Sequence, residues 1–198
     1  MPHAAAPTIR FRLGIRRADG GAIDSVSLQV QLRIAAERRR YEEDERERLA
    51  GLFGRPDQWS RSVRSLHWTN AATVVPAFVG STEVELPVAL TYDFEVAAAQ
   101  YLHALGEGDA PVDLLFSGTV FYRDPAGRLQ AAMIPWDREV RTRLPMVVWR
   151  AAMDAHFPDS AWLRLRRRDF DRLRAYRARH ALPTWEHVVA SLLERAEP

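Results

Sequence analysis

The sequence predicts an α+β protein: an antiparallel, β-sandwich-like core with helices packed on it and a helical C-terminal segment. Three observations lead there. Apolar and polar residues alternate in several runs before residue 143, helical spacing dominates after it, and turns bearing glycine or proline separate the runs. Residues 8–143 are the expected β-rich core with helical excursions. Residues 144–198 are the helical region packed on it, the two making one compact domain.

Ile9, Phe11, Leu13 and Ile15 alternate with Arg10, Arg12 and Arg16, the period of a half-buried strand. Beyond Ala18-Asp19-Gly20-Gly21, Val26, Leu28, Val30, Leu32 and Ile34 alternate again, so the two runs are expected to form a hairpin. Residues 37–64 read as an exposed helical excursion. A mixed-charge run from Glu37 to Arg48, taken as a solvated face, leads into Leu49, Leu52 and Phe53 at helical spacing, and Gly54-Arg55-Pro56-Asp57 ends it. A short turn carrying Trp59 and Val63 follows.

Strands are expected over Leu66 to Val75 and Thr82 to Tyr92, with Pro76 and Pro87 marking edges or bulges. A helix over Ala97 to Leu105 ends at Gly106 and Gly108. Val112 through Tyr122 make a further strand, and the turn Asp124-Pro125-Ala126-Gly127 leads to another from Leu129 through Ile134, extending toward Val140. Pro145 suits a first helical position, and Met146, Trp149, Met153 and Phe157 form one stripe. A short strand at Trp162-Leu163-Arg164-Leu165-Arg166 and a helix near 169–181 come next. A last helix, capped by Thr184, carries Trp185, Val188, Val189, Leu192 and Leu193.

Composition removes several chemistries. The chain has no cysteine, so disulfides, thiolate catalysis and thiolate metal or cluster ligation are excluded. All 28 of its basic residues are arginine, which excludes a Schiff base, a lysine general base and a P-loop lysine. No apolar run approaches the roughly 20 residues of a membrane span, and residues 1–7 lack the apolar segment of a secretory signal and read as a short tail. A cytoplasmic location is expected.

The histidines His3, His67, His103, His156, His180 and His187 have no partner at metal-ligand spacing, and Asp154 and His156 fall on different helix faces. There is no Gly-x-Ser-x-Gly elbow, since Ser117 reads as a strand residue, and Gly106 and Gly108 do not extend to a dinucleotide fingerprint. Asp93 with Glu95 and Asp137 with Glu139 lie two apart, and on a strand each pair would share a face that acid–base chemistry could use. Each also sits beside aromatics, Tyr92 and Phe94 or Trp136, and a mixed aromatic and charged surface suits partner binding. No catalytic residue, cofactor or metal is assigned.

The densest signal is C-terminal, where eight arginines face two aspartates between Ala161 and His180. A basic strand followed by two amphipathic helices, over 162–195, resembles the ribbon–helix–helix DNA-binding unit. By position, Arg164 and Arg166 would face DNA and the turn at Thr184-Trp185 would meet a phosphate. Arg164, Arg166, Arg167, Arg168 and Arg172 are the candidate surface for a partner or a nucleic acid.

Segments along nearly the whole chain from about residue 8 resemble an actinobacterial family of unknown function. They are 28–34 (LQVQLRI), 80–84 (GSTEV), 91–99 (TYDFEVAAA), 101–105 (YLHAL), 115–121 (LFSGTVF), 135–139 (PWDRE) and 181–185 (ALPTW). Members of that family are typically encoded beside nickel–iron uptake hydrogenase genes, and the resemblance implies an accessory role in making, assembling or partnering that enzyme. The expected function is a non-enzymatic accessory protein acting on a protein partner, with hydrogenase subunits or maturation factors as candidates. The alternatives are a dimeric DNA-binding regulator using the C-terminal unit, and hydrolytic chemistry on the carboxylates near Trp136.

Overall fold

The computed structural model describes residues 6–91, 96–158 and 165–196, and the chain divides into two compact units, Met1–Ala161 and Trp162–Pro198. The expected α+β class with antiparallel sheets is what the chain adopts, and the sheets are open.

In the first unit the order is β1 (Thr8–Arg16), β2 (Ala22–Ile23), β3 (Ser25–Ile34), α1 (Glu43–Phe53), α2 (Trp59–Ser62), β4 (Leu66–Val75), β5 (Phe78–Val79) and β6 (Ser81–Ala89), then α3 (Ala97–Ala104), β7 (Asp109–Arg123), β8 (Leu129–Met133), β9 (Glu139–Pro145) and α4 (Met146–Asp154). Strand β3 is central, with β4 on one side and β7 on the other, both antiparallel. Its alternation sends Val26, Leu28, Val30, Leu32 and Ile34 into the core and leaves Ser27, Gln29 and Gln31 exposed. A sheet wetted on one face reads this way.

The expected hairpin between the first two runs does not form. Strand β1 pairs with β6 from Thr8↔Ala89 to Arg16↔Ser81, β2 pairs with β5, and β3 pairs with β4. Residues 8–34 and 66–89 therefore run side by side as one long ribbon that bends at Asp19-Gly20-Gly21 and Gly80. Both Gly20 and Gly80 have φ near +70°, a conformation open to glycine without steric cost. The Arg17 N–H donates to the Gly80 carbonyl at 2.8 Å, and the Arg17 guanidinium holds Asp19 at 2.6 Å. A short loop of Asp and Gly permits reversal or a corner equally well. The long-range partner selects the corner, where strands pass from one layer to another.

Strand β7 pairs with β3 along one edge and with β9 and then β8 along the other. The strand expected from Leu129 toward Val140 is interrupted between β8 and β9, and the ladder closes around the gap through Ile134 N–H to Gly118 carbonyl (3.0 Å) and Phe116 N–H to Arg138 carbonyl (2.9 Å). Opposite the gap Gly118 takes φ +136°, and a Cβ there would lie 2.0 Å from the Ser27 carbonyl oxygen.

The helical excursion is docked rather than exposed. Leu49 and Phe53 are buried, because an i, i+4 apolar stripe on α1 must be covered, and Val63 at the end of α2 is buried as well. Phe53 meets Tyr101 of α3 edge-on at 6.1 Å, and His103 of α3 meets Trp149 of α4 at 4.5 Å. Helix α1 begins in a capping box between Glu42 and Glu45 and ends at Gly54, φ +78°. In α4, Met146, Trp149 and Met153 are buried, as the stripe predicts.

The second unit is a helix pair, α5 (Arg167–Arg179) and α6 (Trp185–Ala196). Arg177 ties its turn by donating Nε to the Leu182 carbonyl at 3.1 Å and lying over the Trp185 ring at 5.0 Å. Phe170 packs on Trp185 at 5.3 Å, and the Tyr176 and Ser191 hydroxyls bond at 2.9 Å. Thr184 accepts the His187 N–H at 3.4 Å, the cap position expected. Of the expected basic strand, Trp162, Leu163 and Arg164 lie outside the described residues. Leu165 and Arg166 are not in a strand, and Arg166 is the N-cap of α5.

Two outcomes follow from this packing. Gly118→Ala forces β3 and β7 apart, and urea titration should show a loss of about 2–4 kcal/mol. Burial holds the pKa of His103 below its usual 6.5, so the unfolded chain takes up this proton first as pH falls. The stability is complete above pH 6.5 and is lost progressively below it; urea midpoints should fall from pH 7.5 to 5.5 in the native protein, and less in His103→Phe.

Candidate functional site

Three segments distant in sequence build one concave surface in the first unit. Arg38, Arg39 and Arg40 come from the chain between β3 and α1, Gly108, Asp109 and Pro111 from the start of β7, and Arg141, Thr142 and Arg143 from β9. They line a cavity of about 640 Å³.

The arginines are placed by a buried carboxylate. Glu45 is 2% exposed and is the only buried charged residue among the described ones. One of its oxygens accepts the Gly106 N–H at 2.7 Å and the Arg39 guanidinium at 2.9 Å, and the other accepts the Glu42 N–H at 3.2 Å. Three donors thus converge on one side chain: a turn amide, a guanidinium and the amide at the start of the helix that carries it. Arg39 also donates to the Glu107 carbonyl at 2.7 Å. Nearby, Arg48 donates to the Ala104 carbonyl at 2.8 Å and Arg150 to the Gly106 carbonyl. The carbonyls left over where α3 ends are thereby met by guanidinium groups.

Tyr41 closes the same corner. Its hydroxyl donates to the Ala36 carbonyl at 2.6 Å and lies 2.9 Å from the Tyr101 hydroxyl. Burial, together with Tyr101 beside it, pushes the Tyr41 phenol far above its ordinary range, and burial raises Tyr101 as well. Both stay neutral, so their contact is a structural hydrogen bond.

On the wet face of the sheet, Asp113 lies across from Arg33 on β3 and Arg141 on β9, and Arg38 pairs with it. Arg141 also meets Glu139 at 3.2 Å. Arg40 and Arg143 have no carboxylate within ion-pair distance among the described residues, and Arg39 Nη1 is buried without an acceptor.

The surface expected from sequence lies elsewhere. Arg164 is outside the described residues and Arg166 caps α5. Arg167, Arg168 and Arg172 stand 79–87% exposed and pair along their own helix with Asp171 or Asp169 at 3.4–3.8 Å. Phe170, Trp185, Leu192, Val189 and Leu193 are exposed on the same helix pair. In the first unit Trp136 is 93% exposed in the gap between β8 and β9. Asp137 lies in that turn while Glu139 opens β9, so this carboxylate pair does not share a strand; Asp93 and Glu95 lie outside the described residues. Among the described residues no three metal-binding side chains come together, and no helix is long and apolar enough to cross a membrane.

The arginine-walled cavity escaped sequence reading because no one segment carries it. The run Arg38-Arg39-Arg40 was visible, but it sits inside a mixed-charge stretch, and only tertiary pairing brings Arg141 and Arg143 to it.

A family model described as a family of unknown function (DUF6084) matches residues 1–198. No curated protein and no solved structure matches the chain.

Removing the central carboxylate leaves Arg39 buried and unneutralised. Glu45→Ala should lose about 3–5 kcal/mol of stability, read as a lowered urea midpoint.

Proposed function

We propose that this chain, which belongs to that family of unknown function, is a non-enzymatic accessory protein whose work is to bind a protein partner, in nickel–iron hydrogenase assembly or function. The observation that carries the reading is the α5–α6 pair. Only Val188 is buried among the described residues of that unit, while Phe170, Trp185, Val189, Leu192 and Leu193 remain exposed. Apolar and aromatic side chains left in water cost free energy that a partner's surface would recover. Interleaved with arginine, they have the composition of interface anchors. The arginine excess favours an acidic partner, so affinity should fall with salt. The hydrogenase setting comes from the resemblance to a family typically encoded beside those genes.

A second reading, DNA binding through the same unit, is favoured by the exposure of Arg167, Arg168 and Arg172. It requires a steep fall of affinity with salt and loss of binding in Arg164→Ala with Arg166→Ala. The partner reading predicts that capture from cells grown under hydrogen-oxidising conditions recovers hydrogenase subunits or maturation factors. It also predicts that Val189→Glu with Leu193→Glu, both at exposed positions, lowers recovery about tenfold or more with helicity unchanged. Normal hydrogenase assembly and activity in a deletion strain would overturn it.

A further inference from the structure

We infer that the arginine-walled cavity between residues 38–40, the start of β7 and β9 is a binding site for a small phosphorylated molecule. The residues that line it belong to the first unit.

Charge is the first argument. Five guanidinium groups line the cavity against one carboxylate, that of Asp109. Three of the five are tied to neighbours: Arg39 to Glu45, Arg38 to Asp113 and Arg141 to Glu139. Among the described residues Arg40 and Arg143 have no carboxylate within ion-pair distance, so their charges are left for a ligand. Like charges gathered this closely repel, and such an arrangement is stabilised by an anion between them.

Preorganisation is the second. The Arg39 side chain is 12% exposed and held by both Glu45 and the Glu107 carbonyl. Arg141 and Arg143 lie two apart on a strand, so they project from one face. Gly108, with φ +87°, brings backbone without a side chain to the wall. Arg39 at least is fixed before the ligand arrives, which spares part of the ordering cost that long side chains otherwise impose on binding.

Shape and valence choose the ligand class. A volume of about 640 Å³ is that of a small-molecule site and exceeds what a lone phosphate fills. A phosphoryl group offers three acceptor oxygens and up to two charges to planar guanidinium forks, matching several arginines at once, whereas a single carboxylate accepts one fork.

Calorimetric titration of the full-length protein with pyrophosphate at low salt tests this. One pyrophosphate should bind per chain. Arg40→Gln with Arg143→Gln should weaken it about tenfold or more without lowering the melting temperature of the free protein, since neither residue has an ion-pair partner among the described residues. Arg12→Gln with Arg16→Gln, on β1, should change affinity less than about twofold, and citrate should bind about tenfold weaker than pyrophosphate. Val189→Glu with Leu193→Glu should bind pyrophosphate normally, which keeps this result separate from partner capture. Absence of saturable binding, equal losses in both arginine pairs, or citrate binding as tightly as pyrophosphate would each overturn the assignment.

Discussion

The ion pair between Glu45 and Arg39 is the interaction on which the rest of the first unit depends. Burying a carboxylate is costly unless every lone pair finds a donor, and here the donors come from three places in the chain. The Gly106 N–H fixes the end of α3, the Glu42 N–H starts α1, and the guanidinium pins the segment leaving β3. A hydrophobic pair of the same volume would fill the space, but it would not satisfy the Gly106 and Glu42 amides. The charge is thus kept because the backbone around it needs an acceptor. Its side effect is to anchor one of three consecutive arginines, with Arg38 and Arg40 on either side of it.

Local pattern made much of the fold legible. Strands β1, β3, β4, β6 and β7 and the helices α1, α3, α4, α5 and α6 follow from alternation, helical spacing and the residues that stop them. Pairing was not legible. Asp19-Gly20-Gly21 announces a bend and says nothing about which strand lies alongside, and the burial of Ile9 and Leu28 is the same in a hairpin or a corner. The break between β8 and β9 was hidden for a related reason. Opposite it Gly118 lies close to Ser27, on a strand far away in the chain, and Pro135-Trp136-Asp137 reads as an ordinary turn.

The two arginine surfaces show the same division. Those on α5 lie close together in sequence and stand out there, and the structure gives them helical carboxylate neighbours and solvent. Those around the cavity are dispersed over a hundred residues, and only their convergence gives them chemical meaning. Charge runs on a helix are mostly solvated faces. The run from Glu37 to Arg48 obeys that rule only in part: Arg39 and Glu45 form the pair around which the corner is organised, and Arg38 and Arg48 reach Asp113 and the Ala104 carbonyl.

The bent ribbon has a consequence for how the chain acquires its structure. Because residues 8–34 and 66–89 are partners in both layers, neither layer can be completed while the other is missing. Nearly all of that pairing joins positions far apart in sequence, so loop-closure entropy must be met before any of it is rewarded. The first unit should assemble in a single slow, concerted event. A nascent chain released before β4 and β6 have been made would hold β1 and β3 as unpaired edges, with Ile9, Leu28 and Leu32 in water.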